Sequence, residues 1–146
     1  MTNSRRLFAI ALAICAAVIA TACDKAIPAA DSSETLVTAL EAAGMSVSGP
    51  EENNPLDARI FAVPGVQYMA GGEKVLAYEF PSQSDAQSAA AEISPDGYGV
   101  GSKYVGWGGA PHIHANGRLI AVYVGDGGKV KETLVAAMGE QIAGEP

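Results

Sequence analysis

The feature that most constrains the fold is an internal repeat with an offset of 44 residues. Sliding the chain by this offset places residues 74–80 over residues 118–124, and a predicted helix at 82–93 over a second one that begins near Asp126. Each half then reads strand, turn, strand and helix. Two such units predict an α+β fold in which a four-stranded antiparallel sheet carries helices on one face.

Turn and capping residues give the approximate limits of the predicted elements. Glycine-containing turns at Gly71-Gly72 and Asn116-Gly117 predict two hairpins. An N-terminal helix is predicted from the capping pattern of Asp31 and Glu34. The predicted helices are 32–43, 82–93 and about 126–138, and the predicted strands are 58–69, 74–80, 103–114 and 118–124, with a short edge strand at 45–48.

Alternation along the predicted strands separates a core face from a second face. The predicted core residues are Leu76, Tyr78, Phe80, Ile120, Val122 and Val124. With Asn116 and Gly117 at the centre of the second turn, both histidines lie on the opposite face, which we expect to be uncovered. This candidate binding face collects Tyr68, Glu79, His112, His114 and Tyr123.

The His112-x-His114 pair leaves three readings open. Both imidazoles point to one side of a strand, as in sites for zinc or another transition metal, and Glu79 offers a third ligand. The same side chains are also typical of a solvated sheet face. An open face with aromatic rings and few charges also suits a partner protein, a peptide or a small ligand.

A glycine-rich stretch at 97–109 does not match a phosphate-binding loop. It lacks the Gly-Lys-Ser/Thr sequence and follows a predicted helix instead of a strand. We expect a flexible connection between the two halves, with Tyr104 and Trp107 packed as strand residues. The sequence also contains no Gly-x-Ser-x-Gly or His-Glu-x-x-His motif, so it indicates no hydrolase.

The N-terminus has the pattern of a secretory signal. Arg5 and Arg6 precede an almost wholly apolar run at 7–20, which is shorter than the roughly 20 residues that span a bilayer. Small residues at 20–22 precede Cys23, as in the lipobox of bacterial lipoproteins, while Ala20-x-Ala22 alone would also suit ordinary signal cleavage. We predict a signal peptide at 1–22, a lipidated Cys23 with a tether at 23–31, and one α+β domain at 32–146.

Acyl chains on Cys23 would anchor the protein to the cell membrane, facing the periplasm or the exterior. Asp24 directly follows this cysteine and favours retention at the inner membrane. The twin arginines fit either the general secretory route or the twin-arginine route. After cleavage Cys23 is the only cysteine, so no internal disulfide can form.

The charge of the mature chain argues against nucleic acid as a partner. The full chain has 9 Lys and Arg against 16 Asp and Glu, and removing Arg5 and Arg6 leaves 7 − 16 = −9. A polyanion would be repelled by this charge.

Two segments, 93–97 (Ile-Ser-Pro-Asp-Gly) and 111–125 (Pro-His-Ile-His-Ala-Asn-Gly-Arg-Leu-Ile-Ala-Val-Tyr-Val-Gly), carry a resemblance to a group of small bacterial lipoproteins. The resemblance extends from Arg59 to the end of the chain and implies a membrane-anchored envelope protein without an assigned activity. We therefore expect a non-enzymatic binding module for an envelope protein or a small ligand. The alternative is a zinc-binding protein or metal-dependent enzyme that uses His112 and His114.

Overall fold

The architecture comes from a computed structural model that describes residues 25–52 and 60–146. Predictions for Cys23, Asp24 and the signal peptide lie outside these residues. The helices are α1 (Ser33–Ala42), α2 (Gln83–Ala91) and α3 (Gly128–Met138). The strands are β1 (Val47–Glu52), β2 (Gly65–Ala70), β3 (Glu73–Glu79), β4 (Gly99–Val100), β5 (Lys103–Tyr104), β6 (Pro111–Asn116), β7 (Leu119–Val124) and β8 (Ala143–Gly144).

The predicted α+β class is confirmed, with two strands more than the four-stranded sheet that the repeat suggested. The hairpins β2–β3 and β6–β7 meet through an antiparallel β3–β7 pair at the sheet centre, in the order β1-β2-β3-β7-β6-β8. The predicted edge strand is β1, which extends to Glu52 and pairs with β2. The short strand β8 pairs with β6 at the other edge and was not predicted.

The prediction that the helices share one face of the sheet is wrong. Helices α1 and α3 pack on the face that carries Val75, Ala77 and Tyr123, whereas α2 packs on the face that carries Leu76 and Tyr78. Both faces of the central strands are apolar, and β7 is buried at every position from Leu119 to Tyr123. A strand that is apolar on both sides requires cover on both sides, so the two helices of the repeat lie on opposite faces.

The second hairpin turn is displaced by one residue from its predicted position. Asn116 pairs with Leu119, so Gly117 and Arg118 occupy the turn, and only Gly117 has a positive φ, of 55°. Glycine at the first central position is the type II′ pattern. His112 therefore pairs with Tyr123, not with Ala121 as predicted. Each residue of β6 thus pairs with a residue two positions further along β7 than predicted. Because side chains alternate between the faces with a period of two, every side chain stays on its predicted face.

Local capping explains where the helices begin. Ser32 and Thr35 form the capping box of α1, one residue after the predicted Asp31 and Glu34 pair. Ser82 caps α2 as predicted, and its hydroxyl accepts from the Asp85 backbone N–H at 3.1 Å. The N-cap of α3 is Gly127 instead of Asp126, and the Gly127 N–H donates to the Tyr123 hydroxyl at 2.6 Å. No side chain caps α3, so the cap expected from Asp126 does not form.

The glycine-rich stretch contains a hairpin instead of the start of a long strand. The predicted strand at 103–114 is divided, because β4 and β5 form a separate two-stranded sheet and the main sheet resumes only at Pro111. Trp107 is buried as expected, and its indole N–H donates to the Gly97 carbonyl at 2.8 Å. Tyr104 lies in a strand as predicted and stacks on Tyr98, but it is 80% exposed, so it is not buried as Trp107 is.

We expect Gly117→Ala to lower the free energy of unfolding by about 2 kcal/mol. A β-carbon at this position would lie 2.8 Å from the Asp31 Cβ and would occupy a backbone with positive φ. Gly72→Ala is the control, since its φ is also positive but nothing lies within 4 Å of the added carbon. Urea unfolding should show a larger loss at Gly117, and equal losses would contradict the close contact with Asp31.

Candidate functional site

The predicted binding face is covered, which overturns the expectation that it is open. The exposed fractions are 6% for Tyr68, 2% for His112, 1% for His114 and 0% for Tyr123. The side chains of α1 and α3 pack over this face in one apolar cluster. A partner cannot reach these four side chains in the folded protein, so the face forms part of the core.

The ring of His112 has a partner at each nitrogen. Its Nδ1 lies 3.0 Å from the Gln141 side-chain oxygen, and its Nε2 lies 2.9 Å from the Gly125 carbonyl oxygen. The ring also stacks on Tyr123, with the centroids 5.6 Å apart. His112 therefore connects β6 to the end of β7 and to the segment that follows α3.

His114 has a similar structural setting. Its Nδ1 lies 2.9 Å from the Gly139 carbonyl oxygen at the end of α3. Burial lowers the pKa of His114, and the neighbouring His112 lowers it further, whereas the bond to Gly139 acts in the opposite direction. The folded protein thus favours the neutral ring.

Two of the other predicted site residues, Tyr123 and Glu79, bind side chains or backbone groups outside the histidine pair. The Tyr123 hydroxyl donates to the Glu73 carboxylate, which no sequence pattern indicated. Glu79 accepts from Arg118 at 2.9 Å and from the Ser33 backbone N–H at 3.0 Å, which attaches the end of β3 to the start of α1. Burial raises the pKa of Tyr68, and the Glu79 carboxylate raises it further.

These contacts give the zinc hypothesis no structural support. The two nitrogens of His112 and the Nδ1 of His114 are engaged with oxygen atoms, and Glu79 is engaged with Arg118 and α1. Within 25–52 and 60–146, no three His, Cys, Asp or Glu side chains are grouped so that they could hold a metal ion. Binding zinc here would require breaking hydrogen bonds that hold the domain together.

The low pKa of His114 predicts that acid destabilises the fold. The unfolded chain binds a proton at this ring near the ordinary value of about 6.5, whereas the folded chain binds it only at lower pH. The stability contributed by the neutral ring is therefore present above pH 6.5 and is lost as the pH falls toward the folded pKa. Urea midpoints at several values between pH 8 and pH 5 measure this loss.

The control for the pH series is His114→Asn, which keeps an N–H donor near Gly139 but does not titrate in this range. We expect the stability of the variant to fall less than that of the natural chain between pH 7 and pH 5. Parallel curves for the two proteins would contradict a neutral His114.

A cleft with a volume of about 660 Å³ lies on the opposite face of the sheet. We call it the α2 cleft. Its apolar side is formed by Ile60, Phe61, Phe80 and Val100, which belong to the cluster under α2. The outer face of α2, the 60–63 segment and the turn of the β4–β5 hairpin enclose it.

The polar side of the α2 cleft follows from the helical repeat. Asp85, Ser88, Ala89 and Glu92 are spaced i, i+3, i+4 and i+7, so they share one face of α2 and line the cleft together. Asp85, Ser88 and Glu92 are exposed. Ser102 in the hairpin turn and Lys103 at the start of β5 line the same cleft. The cleft therefore combines an apolar side with two carboxylates, two hydroxyls and one ammonium group.

Sequence reasoning missed the α2 cleft, although part of its signal was present. The spacing of Asp85, Ser88 and Glu92 marks the polar face of an amphipathic helix, which is the ordinary pattern of a solvated surface. The cleft forms because residues 60–63 and 100–103 pack beside that face, and these contacts are non-local. No local pattern indicates which loops lie beside a helix.

Comparisons of the chain with known protein families, with curated proteins and with solved structures gave no match. Among the described residues, no helix combines the length and the apolar character needed to cross a bilayer. Function is therefore inferred from the residues and their geometry alone.

Proposed function

We propose that this protein is a lipid-anchored bacterial envelope protein that acts as a non-enzymatic binding module, with its ligand site in the α2 cleft. The observation that carries the proposal is the cleft itself, which has about 660 Å³ of space between an apolar side and a polar helix face. Clefts of this size and mixed lining are typical of small-ligand sites. The histidine face has no such space, because α1 and α3 cover it.

The lining of the α2 cleft favours a small amphipathic ligand that carries an amine. Phe61, Phe80 and Val100 offer contact to an apolar group. Asp85 and Glu92 lie two helical turns apart, about 10 Å along the axis, so an ammonium group would contact one carboxylate at a time. The two carboxylates add negative charge to the cleft, which attracts a cation.

The membrane anchor is supported by the sequence at 1–23. The twin arginines, the short apolar run and the small residues before Cys23 together form a lipoprotein signal. Lipid on Cys23 would hold the domain at the cell membrane, and Asp24 favours the inner membrane in this proposal. The segments 93–97 and 111–125 support a kinship with small bacterial lipoproteins.

The anchor is tested by the intact mass of the protein recovered from bacterial membranes. We expect the chain to begin at Cys23 and to carry a diacylglyceryl group, with or without an additional amide-linked acyl chain. The Cys23→Ser variant should leave the membrane fraction. A natural chain that begins at residue 24, or that carries no acyl mass, would contradict the anchor.

The α2 cleft is tested with a matched pair of probes, 2-phenylethylamine and 2-phenylethanol, added to isotope-labelled protein in lipid nanodiscs. We expect the amine to shift backbone NMR signals of residues 60–63, 85–92 and 100–103, and the alcohol to bind several-fold more weakly. Asp85→Asn with Glu92→Gln should remove the advantage of the amine, because both ammonium contacts are lost.

The control for this pair is Glu34→Gln with Glu41→Gln, which makes the same change in net charge at two exposed positions of α1. This control should bind the amine as the natural chain does. Equal binding of amine and alcohol, or signal shifts confined to other surfaces, would contradict the proposed ligand site.

A further inference from the structure

The residues that precede α1 lie on the domain. Ala30, within the segment expected to be a tether, is fully buried. Its backbone N–H donates to the Ala137 carbonyl at 2.8 Å, and its carbonyl accepts from the Asn116 side chain at 3.0 Å. These bonds attach the segment to the end of α3 and to the β6–β7 turn.

The same segment then runs back along both helices. Ile27 packs against the apolar cluster of α1 and α3. Lys25 and Ile27 line a recess together with Ala42, Ala43, Lys129, Glu132 and Thr133. Residues 25–31 therefore run from the end of α1 and the beginning of α3 to the beginning of α1.

We propose that the end of the domain formed by residues 42–44 and 128–132 faces the phosphate-bearing headgroups of the membrane. We call it the anchor end. This inference rests on the proposed lipid on Cys23. Only Asp24 lies between Cys23 and Lys25, and an extended chain spans at most about 7 Å over these two steps. Acyl chains that enter the bilayer at Cys23 thus bring the anchor end to the membrane surface.

The orientation follows from the short connection and does not require a basic surface. Lys25 and Lys129 lie at the anchor end, but Glu132 lies there too, and the protein as a whole is acidic. The lysine stems can extend their ammonium groups to lipid phosphates, which adds to the effect of the short connection.

A consequence concerns access to the α2 cleft. Residues 25–30 lie with α1 and α3 on one face of the sheet, whereas the α2 cleft lies on the other. With the anchor end at the bilayer, the cleft is separated from the connection by the sheet and opens to the aqueous compartment. A soluble ligand can then enter without crossing the headgroup layer.

Fluorescence quenching in vesicles tests this orientation on the lipidated full-length protein. Single cysteines replace Glu132 at the anchor end or Ser88 at the cleft, both of them exposed helix positions. Each thiol is labelled with bimane, since the thioether of a lipidated Cys23 does not react. Vesicles of phosphatidylethanolamine and phosphatidylglycerol contain a lipid with a nitroxide on its headgroup.

We expect at least about threefold stronger quenching for Glu132→Cys than for Ser88→Cys. Equal quenching, or stronger quenching at Ser88→Cys, would overturn the orientation. Flotation of the vesicles distinguishes the two proposals: protein that fails to float lacks the anchor, whereas protein that floats but is quenched equally has an anchor without a fixed orientation.

A longer connection provides the second test. Inserting twelve Gly and Ser residues between Asp24 and Lys25 leaves the docked segment intact but separates it from the lipid. The quenching of the two labels should then become nearly equal. A difference that persists after the insertion would overturn the conclusion that the short connection sets the orientation.

Discussion

Replacing His112 with alanine should lower the free energy of unfolding by about 3 kcal/mol. The substitution empties a site that is 2% exposed and removes the stack on Tyr123. It also removes the hydrogen-bond partner of the Gly125 carbonyl and that of the Gln141 side chain. Large-to-small changes in a core and loss of buried hydrogen bonds together account for this magnitude.

Urea unfolding of the chain 24–146, with and without the substitution, measures this effect. The natural chain should show the same midpoint with zinc and with a chelator, since the described contacts make His112 a structural residue. A loss below about 0.5 kcal/mol would contradict the buried position, because that is typical of an exposed side chain. A zinc-dependent midpoint that disappears in His112→Ala would instead support the metal hypothesis.

Replacing Leu134 with alanine should also cost about 3 kcal/mol. Leu134 lies on α3, is fully buried, and belongs to the cluster between α1, α3 and the histidine face of the sheet. Truncating it leaves a cavity in that cluster, and comparable leucine truncations lose about 3 to 5 kcal/mol. Urea unfolding again gives the difference.

The next residue on α3 is a matched control. Val135 is 40% exposed, so Val135→Ala should change the free energy of unfolding by less than about 0.5 kcal/mol. If the two variants lost equal stability, the face of α3 that packs on the sheet would differ from the one described. The comparison therefore tests the cover over His112 and His114 directly.

The repeat and the turn residues predicted the central part of the fold. Gly71 and Gly72 occupy the first turn with φ values of 59° and 85°, and the hairpins β2–β3 and β6–β7 both form. The face of each histidine was also predicted, although the pairing of His112 was not. The cross-strand partners shift by two residues, which is one full period of side-chain alternation. The error in the turn therefore had no effect on which face each side chain occupies.

The repeat could not predict which helices pack on which face of the sheet. Helices α2 and α3 occupy equivalent places in the two halves, yet they pack on opposite faces. One signal was present in the sequence, since residues 119–124 are apolar at every position instead of alternating. Such a run indicates a strand buried on both sides, which excludes an open face.

The α2 cleft depends on contacts between segments that are distant in the chain. Phe61 and Phe80 pack edge to face, with centroids 6.0 Å apart, and this contact places the 60–63 segment beside α2. Asp85 and Glu92 line the cleft, which forms only because residues 60–63 and 100–103 lie beside α2. Local patterns define elements and faces, whereas clefts follow from how loops pack between them.

The most direct test of the proposed ligand site is photolabelling of the nanodisc-embedded protein with a small phenyl diazirine that carries an aminomethyl group. Peptide mapping should place the label within 60–63, 83–92 or 99–104, and Asp85→Asn with Glu92→Gln should remove most of it. Label on β6 or α3, or label that the double substitution leaves unchanged, would contradict a ligand site in the α2 cleft.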